Sequence, residues 1–343
     1  MGILRASKLR YSMAVVTGGI GSGRFFLLSG NQTLGREESR GGRFLDRRDY
    51  CKGHIVSHYL KALLGGALEV QLVGAVGEDT AGEELVREME AAGIGLRSVR
   101  RVAGAPTLFS FCFLYPDGSG GNMTTEDSAS ASVSPEDMDR AEESFAANRG
   151  AGVAVALPEV PLAARRRLLD LGTRHGFTRG ASFTSREMSE VAASRDLERV
   201  DLLGANIDEA RALLRALAEE APGAAADVVA ALGEEARSRH LGLSLLVTAG
   251  AGGSYICDGG RLYHEPALPV EVKTTAGAGD ALLAGAVAGL AAGLTLREAH
   301  RLGVLLAAAS VLSPHTINTE ITRPVLAGLA RRAGWAGGVA ELL

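Results

Sequence analysis

Cysteine, net charge and long apolar runs are all scarce in this chain, and each shortage removes a class of protein. Cys51, Cys112 and Cys257 are the only cysteines in 343 residues. They have neither metal-ligand spacing nor an even-numbered framework, so they read as buried thiols in a reducing compartment. The formal charge of −4 provides no basic field to attract nucleic acid or an anionic membrane. The opening stretch has a basic leader, but its apolar part stops at glycines and Arg24, shorter than a signal peptide requires. A cytoplasmic protein is expected. The Ala/Leu-rich run from Ala281 to Leu296 is interrupted by glycines and is too short to span a bilayer, so a buried helix is expected there.

What is present is enough for a large core. Hydrophobic residues make up 46% and charged residues 22%, and 343 residues fit one large α/β domain. Short apolar runs at Ala14–Val16, Val70–Val73, Val153–Leu157, Val200–Leu203 and Leu243–Val247 read as buried strands. Most are followed by helical spacing, which predicts parallel strands joined by crossover helices in a doubly wound α/β sheet. Capping signals mark helix starts at Thr80 with Glu83, at Ser134-Pro135-Glu136-Asp137 and at Thr295 with Glu298, and Gly93 marks a helix end.

Two segments break the alternation. Residues 24–50 are polar and carry Arg36, Arg40, Arg43, Arg47 and Arg48. Residues 101–122 hold the aromatic-rich run Leu108–Tyr115, followed by a glycine-rich turn from Pro116 to Gly121. Both are expected to form a small β lid at one edge of the main sheet. The core domain is expected over 13–333, with a weakly ordered tail from Trp335. No internal repeat is evident.

The strongest chemical signal is Thr274-Thr275-Ala276-Gly277-Ala278-Gly279-Asp280, preceded by the apolar segment Leu268–Val272 and followed by a helix of small residues. The first N–H groups of a helix are unpaired, and glycines let a phosphate approach them while the helix dipole favours its charge. Such a cradle stabilises a transferring phosphoryl group, and a carboxylate beside it, Asp280, can take the proton of an attacking hydroxyl. A GxG turn before a helix is common, however, and an Asp in a first turn is often only a dipole partner.

The GAGDA sequence late in an α/β chain resembles the PfkB, or ribokinase-like, carbohydrate kinase family, whose signature reads DTTGAGDAF. Other segments are similar in the family's order. They are Val73-Gly74-Ala75-Val76-Gly77-Glu78-Asp79-Thr80-Ala81-Gly82-Glu83, then Asn206-Ile207-Asp208-Glu209, then Thr248-Ala249-Gly250-Ala251-Gly252-Gly253. The resemblance implies an ATP- and Mg²⁺-dependent kinase acting on a hydroxyl of a sugar, sugar derivative or nucleoside. By position, Asp280 would be the base, and Gly277, Ala278 and Gly279 the anion hole. Asn206 and Glu209 would organise magnesium, mainly through water, although ordinary helix capping explains the same pair. Thr248, Gly250 and Gly253 would line the nucleotide, with Val304 at an apolar base pocket. Lid strands in this class often pair between subunits, which implies a homodimer.

The departures concern the acceptor. Thr274 stands where the family has an Asp that helps hold a monovalent cation, which argues against potassium activation. Gly23 replaces a sugar-gripping Asp. The turn Tyr50-Cys51-Lys52-Gly53-His54-Ile55 keeps Lys52 and Gly53 but has Ile55 in place of a hydroxyl-binding Asn. Gly23, Lys52, Gly53, Asn122 and Glu159 are the acceptor-side candidates, with Asn31, Arg36, Glu37, Arg40 and His54 as further ones. An inward arginine would suit an anionic acceptor; the same arginines equally form a solvated lid face or a dimer edge. Residues 313–318 faintly resemble a region of pseudouridine kinases. Two other readings stay open. One is a ligand-sensing protein that kept the fold without phosphotransfer. The other is a nicotinamide-dependent oxidoreductase, for which Gly19-Ile20-Gly21-Ser22-Gly23 lacks the following helix.

Overall fold

The computed structural model describes residues 2–6, 8–117, 120–218 and 220–343. Thirteen strands appear among them. In chain order they are β1 Met13–Thr17, β2 Gly21–Leu28, β3 Gly42–Tyr50, β4 Glu69–Gly77, β5 Gly95–Val102, β6 Leu108–Leu114, β7 Gly120–Thr124, β8 Gly152–Ala156, β9 Thr178–Ser182, β10 Leu202–Asn206, β11 Ser244–Thr248, β12 Ser254–Asp258 and β13 Arg261–Glu265. Nine form the main sheet in the order β13-β12-β11-β10-β9-β8-β1-β4-β5. Its strands run parallel from β11 through β5, while β12 and β13 are antiparallel at one edge.

Strand β1 shows why the alternation was readable. Ala14 and Val16 join one apolar cluster and Met13 and Val15 the other, so every residue of a central strand is buried on one face or the other. The run expected at Val200–Leu203 forms a strand two residues later, at Leu202–Asn206. The apolar segment Leu268–Val272 forms no strand; Leu268, Val270 and Val272 line a cleft, and Val272 is 55% exposed.

Helix ends follow local chemistry, with one revision. Thr295 and Glu298 form the reciprocal capping box of the helix Leu296–Ser310. At the helix Thr80–Ala91 the cap is Asp79, one residue earlier than expected, and its Oδ1 accepts from Gly82 N at 2.8 Å. The same carboxylate accepts from Thr107 N and Oγ1, which commits it to joining the helix to the approach of β6. The helix Ala278–Ala291 is buried along nearly its whole length. Gly285 explains how: a Cβ there would lie 2.6 Å from Gly303 Cα, so the glycine lets two helices pack backbone to backbone.

The small sheet has the order β3-β2-β6-β7. It draws on both unusual segments but begins at Gly21, and β5 (Gly95–Val102) belongs to the main sheet instead. Gly118 and Ser119 of the expected turn lie outside the described residues. Period 2 divides the sheet into unlike faces. Phe44, Phe109 and Met123 lie on the outer one and are 48%, 41% and 52% exposed, whereas Phe25, Asp49, Ser110 and Cys112 lie on the inner one and are buried. The C-terminal residues dock rather than trail. Val339 is buried, Leu342 O accepts from Arg5 N, and the Arg301 guanidinium lies over the Trp335 ring.

Candidate active site

Open α/β sheets place ligands beyond the carboxyl ends of their strands, and the sequence-selected residues cluster there. Asn206 and Thr248 end β10 and β11, and Glu159 follows β8 by three residues. Facing these ends is the start of the helix Ala278–Ala291. Its N-cap, Gly277, has φ +78°, a conformation that favours glycine, and a Cβ there would lie 2.9 Å from Thr316 O. Ala278 N–H, expected in the anion hole, donates to Thr275 O at 3.3 Å, whereas the following donors, Gly279 N–H and Asp280 N–H, have no partner among the described residues. A Cβ at Gly279 would meet nothing within 4 Å, so the space above these donors is open. Two unpaired N–H groups, a helix dipole and a bare approach make an anion site.

A cleft of about 480 Å³ joins this turn to the other nucleotide-side candidates. Thr248, Gly250, Gly253, Asn206, Glu209, Gly277, Ala278, Gly279 and Asp280 all line it, and Val304, 5% exposed, contributes to its apolar end with Ala307 and Val311. Asn206 and Glu209 also cap their own helix. Asn206 Oδ1 accepts from Asp208 N and Glu209 N at 2.9 Å, and Glu209 Oε2 accepts from Asn206 N at 2.8 Å. That engages one oxygen of Glu209 and leaves Oε1 without a hydrogen-bond partner among the described residues. Burial raises the Glu209 carboxyl above its ordinary range, with the nearby Lys52 pulling it back.

Lys52 joins the two ends of the site. Its Nζ donates to Asp280 Oδ2 at 3.3 Å and Oδ1 at 3.4 Å, and the charge of Asp280 raises the ammonium's pKa above the usual lysine value. Its backbone N–H donates to Glu159 Oε2 at 2.9 Å. Glu159 has φ +73°, uncommon for a residue with a side chain, and a Cβ on Gly19 would fall 2.5 Å from it. Burial pushes the Glu159 carboxyl up to about 7. Gly53 donates its N–H to Gly19 O, and a Cβ there would lie 2.8 Å from Gly18 O, so it lets the helix start press against the 18–19 turn.

The remaining candidates divide. Gly23 is enclosed in β2, where a Cβ would lie 2.0 Å from Ser110 Oγ. Asn122 is exposed on the edge strand β7, opposite Cys112. Arg36 and Glu37 are exposed, Arg40 pairs with Glu38, and Asn31 accepts from Asp117 N, so this segment turns its polar groups to itself and to solvent. His54 is buried edge-on against Tyr50, and burial lowers its pKa to about 3. Thr274 is buried and its hydroxyl accepts from Ala276 N at 3.3 Å. The residues that sequence reading missed are Asp49 and Ser110, which no motif marks because strand pairing brings them together across Gly23; Thr316, from the segment 313–318, packs on Gly277.

Comparison with known proteins bears on the family and the fold. The model of the pfkB family carbohydrate kinases matches residues 56–323. The ATP-dependent ribose-1-phosphate kinase of Halopiger xanaduensis is 27% identical over 236 residues, covering 69% of this chain and 72% of that protein. The 2-dehydro-3-deoxygluconokinase of Thermoproteus tenax is 28% identical over 273 residues, covering 76% and 78%. The ribokinase structure of Giardia lamblia superposes with a TM-score of 0.76 at 18% identity, covering 94% of this chain and 99% of that one.

Proposed function

The chain belongs to the pfkB family of carbohydrate kinases, and from that premise we propose a specific reaction and a division of labour. The protein moves the γ-phosphoryl group of ATP to a hydroxyl of a sugar, sugar derivative or nucleoside. One observation carries this reading: the Asp280 carboxylate stands beside two unpaired helix N–H groups at the floor of a cleft with an apolar far end. The N–H groups of Gly279 and Asp280, with the space left by the bare Gly279, receive charge on the transferring phosphoryl group. Asp280 accepts the proton of the attacking hydroxyl, and Lys52 orients that carboxylate. Thr248, Gly250 and Gly253 hold the phosphate and ribose side, and Val304 faces the base. Lys52, Gly53 and Glu159 shape the acceptor side, together with Gly23 and with Asn122, which is exposed on β7 opposite Cys112.

The residues present fit a magnesium ion carried in with ATP. Among the described residues no three His, Cys, Asp or Glu side chains converge into a cage. The free Glu209 oxygen suits an ion that keeps most of its shell as water and phosphate oxygen, and Asn206, whose Oδ1 already accepts from Asp208 N and Glu209 N, would hold Glu209 in place for it. When bound, the ion neutralises phosphate charge. Thr274 offers a hydroxyl in place of a carboxylate, so potassium is not required. The exposed Phe44, Phe109 and Met123 on the outer face of the small sheet support a homodimer formed through that face. No helix among the described residues is long and apolar enough to cross a membrane. A cytoplasmic setting rests on three buried, unpaired thiols.

A second reading, ligand sensing without phosphotransfer, is favoured only by the lack of a polar side chain at Gly23 and Ile55. A coupled ADP-release assay with Mg-ATP across sugars, sugar phosphates, polyols and nucleosides separates the two. Strong stimulation by one acceptor establishes the kinase reading and names the substrate. Folded protein that binds ATP and stays silent throughout favours sensing.

A further inference from the structure

Strand pairing places an unassigned carboxylate at the acceptor end of the site. Asp49 stands opposite Gly23 across the β2–β3 ladder, and Gly23 stands opposite Ser110 across β2–β6. Directly paired residues project from the same face of a sheet. With glycine between them, Asp49 and Ser110 meet over bare backbone. Ser110 Oγ donates to Asp49 Oδ2, and Cys112 Sγ donates to the same oxygen at 3.3 Å. No side chain fits at Gly23, since a Cβ there would collide with the Ser110 hydroxyl. Gly23, Asp49 and Ser110 are therefore a matched set.

The other oxygen is the informative one. Asp49 Oδ1 has no hydrogen-bond partner among the described residues, yet it is not one of the unpaired atoms sealed from solvent. The residue as a whole is 5% exposed. A carboxylate this enclosed, held by one oxygen and open at the other, lacks a donor on its open side. Three residues further along the chain is Lys52, whose ammonium binds Asp280. The end of β3 is clamped beside the anion turn, where Arg48 N donates to His315 Nδ1 at 2.9 Å and Tyr50 N to Thr316 Oγ1 at 2.8 Å. Thr316 is the residue that presses on Gly277. The charge of Asp49 also reaches Glu159 and Cys51, the residues flanking Lys52.

We propose that Asp49 is a specificity-determining residue, whose Oδ1 accepts a hydrogen bond from a neutral hydroxyl of the acceptor. This rests on the phosphotransfer reading above and narrows it. An acceptor phosphate or carboxylate at this end would face Asp49 with Glu159 nearby, while Lys52 is engaged by Asp280. The acceptor therefore presents an uncharged hydroxyl to the small sheet and carries any anionic group elsewhere.

The test uses the full chain, the best acceptor from the ADP-release panel, and that acceptor's single-deoxy analogues. Asp49→Asn should raise the acceptor KM on the order of 10²-fold, while the ATP KM stays within about twofold of wild type. One deoxy analogue should bind the wild type poorly and lose that penalty in Asp49→Asn. Ser110→Ala keeps the carboxylate but frees its Oδ2; it should raise the acceptor KM about 10-fold, and it serves if Asp49→Asn does not fold. An acceptor KM within about threefold of wild type in the variants, or the same deoxy penalties in both proteins, overturns the role of Asp49 and leaves the kinase reading standing. Silence of the wild type across the panel overturns both.

Discussion

The two ends of the cleft are made of different material. In the proposed reaction the working groups of the nucleotide end are backbone: the N–H groups of Gly279 and Asp280, the left-handed Gly277, and the turn Gly250–Gly253. Those proposed for the acceptor end are side chains from separate segments, Asp49 from β3, Lys52 from the next helix and Glu159 after β8. Backbone chemistry leaves a trace in sequence, because only glycine tolerates those conformations and approaches. Side chains brought together by strand pairing leave none, so the end that decides the substrate is the harder one to read.

Lys52 spans both ends, and its loss should blur the contrast most. Lys52→Met should lower kcat/KM on the order of 10²-fold for either substrate, since Asp280 loses the ammonium that orients it. Steady-state kinetics with each substrate varied checks this. An effect confined to the acceptor KM would assign Lys52 to the acceptor end alone.

Gly277→Ala should sharpen the contrast. The positive φ and the approach to Thr316 O should lower stability by about 1–2 kcal/mol and raise the ATP KM about 10-fold, with the acceptor KM unchanged. Urea unfolding and initial rates read the two parts.

Glu159→Gln probes the acceptor end through pH. The folded carboxyl titrates near 7, above its ordinary 4.5, so between these values the folded state holds the proton more firmly than the unfolded chain. Glu159 therefore makes stability decline as pH rises from about 4.5 to about 7, and the decline is complete above that range. His54 and His58, lowered to about 3 and about 4 by burial, act oppositely and lose stability as pH falls below 6.5. The difference between wild type and Glu159→Gln, followed by thermal unfolding from pH 4 to 8, isolates the carboxyl. A difference that stays constant over the window would contradict the assignment. The smallest effect is expected from potassium. With Thr274 supplying no carboxylate, its addition should change kcat by less than about twofold.

The main sheet was legible because strands such as β8 have no polar side chain, are buried throughout and lie between helices. Strand β9, Thr178–Ser182, was not, since Thr-Arg-Gly-Ala-Ser lacks apolar periodicity and is held by its neighbours β8 and β10. Asp280 was legible through its glycine turn. Asp49 was hidden among the arginines of a segment that reads as a solvated surface, and its meaning appears only once Gly23 and Ser110 are paired beside it. The tail read as loose because alanine and glycine carry little pattern, yet Val339 and the ring of Trp335 suffice to dock it.

The measurement closest to the central claim is acceptor-stimulated ADP release by wild type and Asp280→Asn, side by side at matched ATP occupancy. The account predicts about a 10³-fold loss of kcat in the variant, with ATP binding and thermal stability retained. Near-normal turnover by a folded Asp280→Asn protein would contradict it.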